Sequence, residues 1–398
     1  MILFEVIFVL FIGLISPVIG IFIGTICILI RNKPNYLTLV AVSILIGYIG
    51  SYYQFRPIDD MSRYVIYMDR ISIYNNVFDY LKAVYSDGGI STYGVNAANW
   101  PLSGIILYVT QKYGDYRFLS GGSLAFIAFI RYFIVVKSLP NNFGSNGRVF
   151  LSRLFFLVSL FITAYPVRVV SGFRWWVSMT MTLLAIYEDY QSTKFINQKL
   201  IPTKTLFLYI IAGLIHPSAY IYLVFRLVSG YLTMEVSKVK RAFLVVAILS
   251  LGIGVLISGK LDLLISQFLA YTNFELSMYS FMFNFAISCI TIFGLTYLIR
   301  LKKKLPIVFS VFLFFTQIFT VILFPLRVFD RMYQFSVPVL ILFLLFSCEK
   351  YNGKLTKGVF ITVSAFLVTY LTIYIAQPVL ALPHLRENFL QIFFLPIH

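Results

Sequence analysis

Apolar stretches follow one another along most of this chain, separated by short polar breaks. Runs near 17–25 residues can cross roughly 30 Å of hydrocarbon, and about twelve such spans can be traced. They cover roughly residues 2–30, 36–53, 117–138, 149–166, 168–189, 203–216, 217–233, 240–259, 282–300, 305–324, 329–348 and 356–376. The first run is the longest, and Ser16-Pro17 with its flanking glycines marks a place where it could kink or divide. A division there would move the amino terminus from the outer to the cytoplasmic side and leave the other spans in place. The runs at 203–216 and 217–233 are short, and the His216-Pro217 step between them predicts a tight turn. No internal repeat appears. The pattern predicts an all-α polytopic membrane protein, a single transmembrane domain over residues 1–398.

Residues 53–116 break the pattern. They carry Arg56, Asp59, Asp60, Arg63, Asp69, Arg70, Asp79, Lys82, Asp87, Lys112 and Asp115, with many tyrosines and a Gly/Ser/Asn-rich piece from Ser86 to Asn99. In Asp60-Met-Ser-Arg-Tyr64-Val-Ile-Tyr67, the two tyrosines lie one turn apart and Ile71 continues their face. That spacing predicts an amphipathic helix along the membrane surface. After Trp100-Pro101, the apolar run Leu102–Val109 is too short to span, so a re-entrant or interfacial helix is expected. This loop is the expected external feature of the fold.

Composition narrows the class. The chain has 398 residues, 60% of them hydrophobic and 12% charged, with a mean hydropathy of +0.89. Soluble domains carry about twice that share of charge. The net charge of +17 raises nucleic acid as a partner, but its distribution argues against one. Basic clusters stand at Arg31/Lys33, Lys137/Arg148/Arg153, Lys194/Lys199/Lys204, Lys238/Lys240/Arg241, Arg300/Lys302/Lys303/Lys304 and Lys350/Lys354/Lys357. Every second loop lacks such a cluster, which is the positive-inside pattern. The clusters are therefore assigned to the cytoplasm. Arg131 and Arg226, in the cytoplasmic halves of their spans, are expected to snorkel to the headgroups.

The candidate chemistry falls on the opposite side. Arg168 and Arg174 flank Ser171-Gly172 beside Trp175-Trp176, Arg327 and Arg331 stand one helical turn apart, and His216 ends an apolar run. Guanidinium groups near hydrocarbon usually face a polar cavity. Paired arginines repel unless an anion sits between them, and their forks suit phosphate oxygens. Plainer roles stand beside these: interfacial snorkelling for Arg174, an Asp330–Arg327 bridge, and a hydrogen-bonded helix end for His216. Asp59 and Asp60 open the surface helix, where one would serve as an N-cap and one as a general base. Cys27, Cys289 and Cys348 form no disulfide framework, and no His, Cys and carboxylate cluster has metal-ligand spacing. No Walker loop, dinucleotide fingerprint or nucleophile elbow is present, so no cofactor is expected.

Taken in order, Asp60-x3-Tyr64-x2-Tyr67 after the second span, Arg168…Arg174 opening a later helix, His216-Pro-Ser at a junction and Arg327…Arg331-Met-Tyr333 resemble the EpsG-type members of the Wzy polysaccharide polymerases. The likeness covers most of the chain as a pattern of spans and polar breaks. Two features depart from it: the proline after His216 and the length of the first run. The resemblance implies a GT-C-like bundle in a bacterial cell membrane, with its active site on the outer face. It implies transfer of a growing glycan from undecaprenyl pyrophosphate to a lipid-linked oligosaccharide repeat unit, in capsule, exopolysaccharide or O-antigen synthesis. Catalytic roles would fall to Asp60, His216, Arg327 and Arg331. Substrate binding would fall to Arg168, Arg174, Asp59, Tyr64, Tyr67 and Tyr333. Arginines would neutralise the pyrophosphate without a metal. Partners would be the lipid-linked substrates, membrane lipids, a chain-length regulator and a flippase. Two other classes stay open. A transporter of the same lipid-linked units would also need arginines, but in a cavity reached from both sides and with paired halves. A membrane acyltransferase would use His216 as base with another donor.

Overall fold

A computed structural model describes residues 2–31, 35–52, 55, 60–86, 91–92, 95–96, 100–139, 146–163, 172–196, 201–233, 246, 278–300, 305–323, 329–349 and 354–376. The architecture is helical. The helices are α1 Ile2–Ile15, α2 Pro17–Ile30, α3 Tyr36–Ser51, α4 Asp60–Ile71, α5 Val77–Tyr85, α6 Pro101–Tyr113, α7 Tyr116–Ser138, α8 Asn146–Ile162, α9 Phe173–Ile196, α10 Thr203–Ile215, α11 Ala219–Thr233, α12 Met278–Arg300, α13 Ile307–Ile322, α14 Phe329–Glu349 and α15 Lys357–Ala376. A two-residue antiparallel pair, β1 Ser91–Thr92 and β2 Val95–Asn96, lies between α5 and α6. Among the described residues, three stretches are long and apolar enough to cross a membrane: Tyr116–Ser138, Phe281–Arg300 and Met332–Glu349. Seven further apolar helices among the described residues are shorter. The span expected at 240–259 lies outside the described residues, apart from Val246.

The expected single span over 2–30 is instead two helices. Ser16 caps α2, its hydroxyl accepting from the Ile19 N–H at 3.5 Å, and Pro17 takes the first helical position, where a missing N–H costs nothing. The chain folds back there. Glu5 pairs with Arg31 and accepts from the Thr38 hydroxyl at 2.7 Å, which places the start of α1 beside the end of α2. A Cβ on Gly20 would meet the Gly13 Cα at 2.6 Å, so the turn depends on two glycines in contact. Each arm has 14 residues, about 21 Å at 1.5 Å per residue.

Close glycine packing also joins α3 to α7. A Cβ on Gly47 would lie 2.7 Å from the Gly121 carbonyl oxygen, and one on Gly121 would lie 2.7 Å from that of Gly47. Small residues let membrane helices approach in this way, and dispersion across the tight seam holds them. Gly121→Val is expected to cost about 1–3 kcal/mol through overpacking, seen as a lower midpoint of thermal unfolding in detergent. An unchanged midpoint would mean that the seam is looser than described.

The buried arginines correct another expectation. Neither Arg131 nor Arg226 snorkels. Arg226 on α11 is fully buried and bidentate to Asp189 on α9, with Nε to Oδ2 at 2.6 Å and Nη2 to Oδ1 at 3.1 Å. Arg131 is 2% exposed and donates to the Leu160 carbonyl. Arg153, counted with a cytoplasmic cluster in the sequence, is also fully buried. It donates to the carbonyls of Leu139 at 2.8 Å and of Leu29 and Arg31 at 2.7 Å each. Those oxygens stand at the carboxyl ends of α7 and α2, where backbone acceptors are left without helical partners and the dipole favours a cation.

Helices α4, α5 and α6 share a second apolar cluster, separate from the main core. Met61, Tyr64, Tyr67, Met68 and Ile71 make the apolar face of α4, as the spacing predicts. That face is buried against protein, on Tyr80, Leu107, Tyr108, Leu119 and Phe173, and not against lipid. Tyrosines tolerate this because they satisfy one another. The Tyr67 and Tyr80 hydroxyls are 3.1 Å apart, and burial raises both above the ordinary phenol range. The expected short helix is α6, 13 residues long, too short to span. It packs on α4 and α10, and the Ser103 hydroxyl donates to the Ile215 carbonyl at 2.7 Å.

Candidate functional site

Helices α9 and α10 run antiparallel. Glu188 near the far end of α9 pairs with Lys204 at the start of α10 at 3.0 Å. The Ser178 hydroxyl, near the start of α9, donates to the Ala212 carbonyl at 2.8 Å and reaches the His216 carbonyl at 3.4 Å. Arg174, in the first turn of α9, and His216, the C-cap of α10, therefore share one end of the bundle. The Glu188–Lys204 pair lies about 20 Å away along the helix.

Four segments meet at that end. The Arg174 guanidinium carbon lies 3.9 Å from the ring centre of Trp100 and 5.0 Å from that of Tyr64. Arg174 Nε donates to the Tyr64 hydroxyl at 3.0 Å. Trp100 also stacks on the His216 ring, with centroids 6.4 Å apart and planes 16° from parallel. Trp175 meets His216 edge-on at 5.2 Å. The backbone N–H of Ser218 donates to His216 Nδ1 at 3.3 Å. Arg174 thus lies on the Trp100 face with its Nε engaged by Tyr64, while Nη1 is buried without a hydrogen-bond partner among the described residues. A buried unmatched N–H of a cation calls for an acceptor, and a ligand oxygen would supply one.

Helix α14 brings a second basic position to this end. Tyr190 of α9 stacks on Phe346 of α14 at 3.8 Å. Trp176 and Met179 of α9 share a small cavity with Gln334, Phe335 and Pro338 of α14 and with Arg131. The two helices therefore run parallel, and both start where Arg174 lies. Arg331 occupies the first turn of α14. Two helix amino ends, each with partial positive charge, point toward the same region, which favours an anion there.

No protein-family model, curated protein or solved structure matches this chain. The meaning of the site rests on its own residues.

Of the residues singled out in the sequence, Arg174, Tyr64 and His216 come together. Asp60 is the first residue of α4, one turn before Tyr64; it pairs with Arg63 at 3.8 Å in an exposed contact. Tyr67 lies deeper, in the tyrosine core of the α4–α5 layer. Tyr333 is buried against Phe283 and Tyr370, at 5.5 Å and 6.1 Å between ring centres. Asp59, Arg168 and Arg327 lie outside the described residues. Among those described, no three His, Cys, Asp or Glu side chains converge. Trp100, the closest aromatic contact of Arg174, stands out little in the sequence. Its signal was an aromatic directly before Pro101, at a position where helices ordinarily start on a small polar residue.

Proposed function

We propose that this protein is a polysaccharide polymerase of the bacterial cytoplasmic membrane. It has about twelve spans in a GT-C-like bundle and works on the outer face. It transfers a growing glycan from undecaprenyl pyrophosphate to a lipid-linked oligosaccharide repeat unit. The observation that carries this reading is the meeting of Arg174 with Tyr64, Trp100 and His216 beside the amino ends of α9 and α14. Such a site offers positive charge for an anion and flat aromatic faces for sugar rings.

In the reaction, an acceptor hydroxyl oxygen bonds to the anomeric carbon of the donor glycan. The bond from that carbon to the pyrophosphate oxygen breaks, and its electron pair stays on the pyrophosphate. Arg174 and Arg331, with Arg168 and Arg327, stabilise the charge that builds there, as fixed donors in a dry site do. The hydroxyl proton passes to Asp60; at His216 the lone pair of Nδ1 faces the Ser218 N–H, so a proton would reach that ring only if this contact opened.

Reconstitution in vesicles with a lipid-pyrophosphate-linked repeat unit tests the reading. A ladder of products made by the wild type and lost in Arg174→Ala supports it. Movement of the lipid-linked unit across the bilayer, without a ladder, replaces it with a transporter. Acyl transfer in place of glycan transfer would do the same for the acyltransferase class.

A further inference from the structure

Helix α6 starts on an unsuitable residue. Its N-cap is Trp100, with backbone angles φ −138° and ψ 71°, and no side-chain hydrogen bond closes the helix end. Ser, Thr, Asp or Asn there would accept from a free N–H of the first turn. The following proline already marks the helix start, so an N-cap hydroxyl would complete a good signal. A local rule broken without local compensation points to a demand from elsewhere.

That demand is visible. The Trp100 ring carries the Arg174 guanidinium at 3.9 Å, and the same ring stacks on His216. Arg174 comes from α9, His216 from the end of α10 and Trp100 from the start of α6, so this one ring joins three segments. Tyr64, from a fourth, accepts from Nε through its hydroxyl at 3.0 Å and so fixes the opposite edge of the guanidinium. A planar cation with one face on an aromatic ring and its Nε edge hydrogen-bonded presents its remaining Nη edge. The Nη edge is the one that makes two parallel hydrogen bonds to an oxyanion, and it includes the unmatched Nη1.

We infer that Trp100 is a positioning residue. It fixes the plane of Arg174 so that the Nη edge meets the oxygens of a diphosphate group. The inference deepens the polymerase reading and rests on its assignment of a pyrophosphate to this end of the bundle. Trp100 transfers no proton and forms no bond in the reaction; it acts through Arg174.

The test separates a π face from plain apolar bulk. Geranyl pyrophosphate is the probe, since it carries the diphosphate on a short isoprenoid, and geraniol is the control that lacks it. Affinities are measured by calorimetry on the full-length protein in detergent for the wild type and for Trp100→Phe, Trp100→Leu and Trp100→Ser. Phe keeps a ring face, Leu keeps only bulk, and Ser removes both while supplying the missing N-cap. The expected result is binding of the diphosphate within about threefold of wild type for Phe, and about tenfold weaker for Leu and Ser. Trp100→Ser is expected to stay folded, because the new cap stabilises α6.

Leu binding as tightly as Phe would overturn the positioning role, since bulk alone would then suffice. Equal affinity in the wild type and in Trp100→Ser would overturn it too, and would leave the polymerase reading standing. A wild type that binds geraniol as well as geranyl pyrophosphate would overturn both, because no diphosphate site would exist there. The turnover split adds a readout that a structural role would not move. In the reconstituted reaction, Trp100→Leu is expected to lower kcat/KM for the donor while KM for the acceptor is unchanged. A parallel change for both substrates would sink the assignment to Arg174.

Discussion

Arg174→Lys is expected to slow chain extension by at least about a hundredfold while the protein folds and inserts normally. Lysine keeps the charge but loses the plane and the fork. An ammonium is a strongly hydrated point charge with no flat face to lie on Trp100. The Nε contact to the Tyr64 hydroxyl would also be lost. Removing one fixed donor from a site that stabilises a leaving oxyanion lowers turnover by about 10²–10³. Stability should be nearly unaffected, since the side chain is half-buried at the end of the bundle and lies outside its apolar interior. Initial rates of ladder formation, at matched protein in vesicles, make the comparison. A lysine variant that extends chains at the wild-type rate would remove Arg174 from the site.

The second large effect concerns stability and lies away from the site. Arg226→Met alone is expected to destabilise the fold by about 3–5 kcal/mol, because it leaves the Asp189 carboxylate buried without its cation. Asp189→Leu alone should cost about as much, since an unpaired guanidinium is no easier to bury. The double variant should recover most of the loss, as apolar residues of similar volume often replace a buried pair at little cost. The surroundings favour this outcome. Arg226 also lies 5.1 Å from the Phe309 ring, and both members of the pair are fully buried. Thermal unfolding in detergent, run as a double-mutant cycle, checks it. A single variant as stable as the wild type would mean that water reaches the pair.

How much could be seen in advance differs by feature. Apolar runs gave close bounds for helices such as α7 and α14, because burial and lipid both demand the same residues over the same length. What an apolar face meets is another matter. Hydropathy does not distinguish lipid from protein, so the face of α4 reads as a membrane surface when its partner is the tyrosine layer of α5 and α6. The same blindness hid Arg131 and Arg226, and Arg153 was lost among the basic residues of a loop cluster. A lone arginine in an apolar run looks like a snorkelling residue until the carbonyl or carboxylate it meets, far away in sequence, is in place. Ser16-Pro17 carried the fold-back signal, but only the Gly13–Gly20 contact turns a kink into a reversal. At the candidate site, Arg174, His216 and Tyr64 stood out as polar groups at apolar breaks. Trp100 did not, because tryptophan beside a membrane interface is ordinary.

The folded-back pair α1 and α2 has a consequence for the surrounding lipid. Its arms reach about 21 Å, against roughly 30 Å of hydrocarbon, and Phe4, Phe11 and Phe22 stand exposed along them. Lipid that wets those phenyl rings meets a wall too short for it, so the adjoining leaflet must dimple to follow. The protein would then carry its own shallow depression in the membrane, and its work would depend on the acyl-chain length of the bilayer that surrounds it.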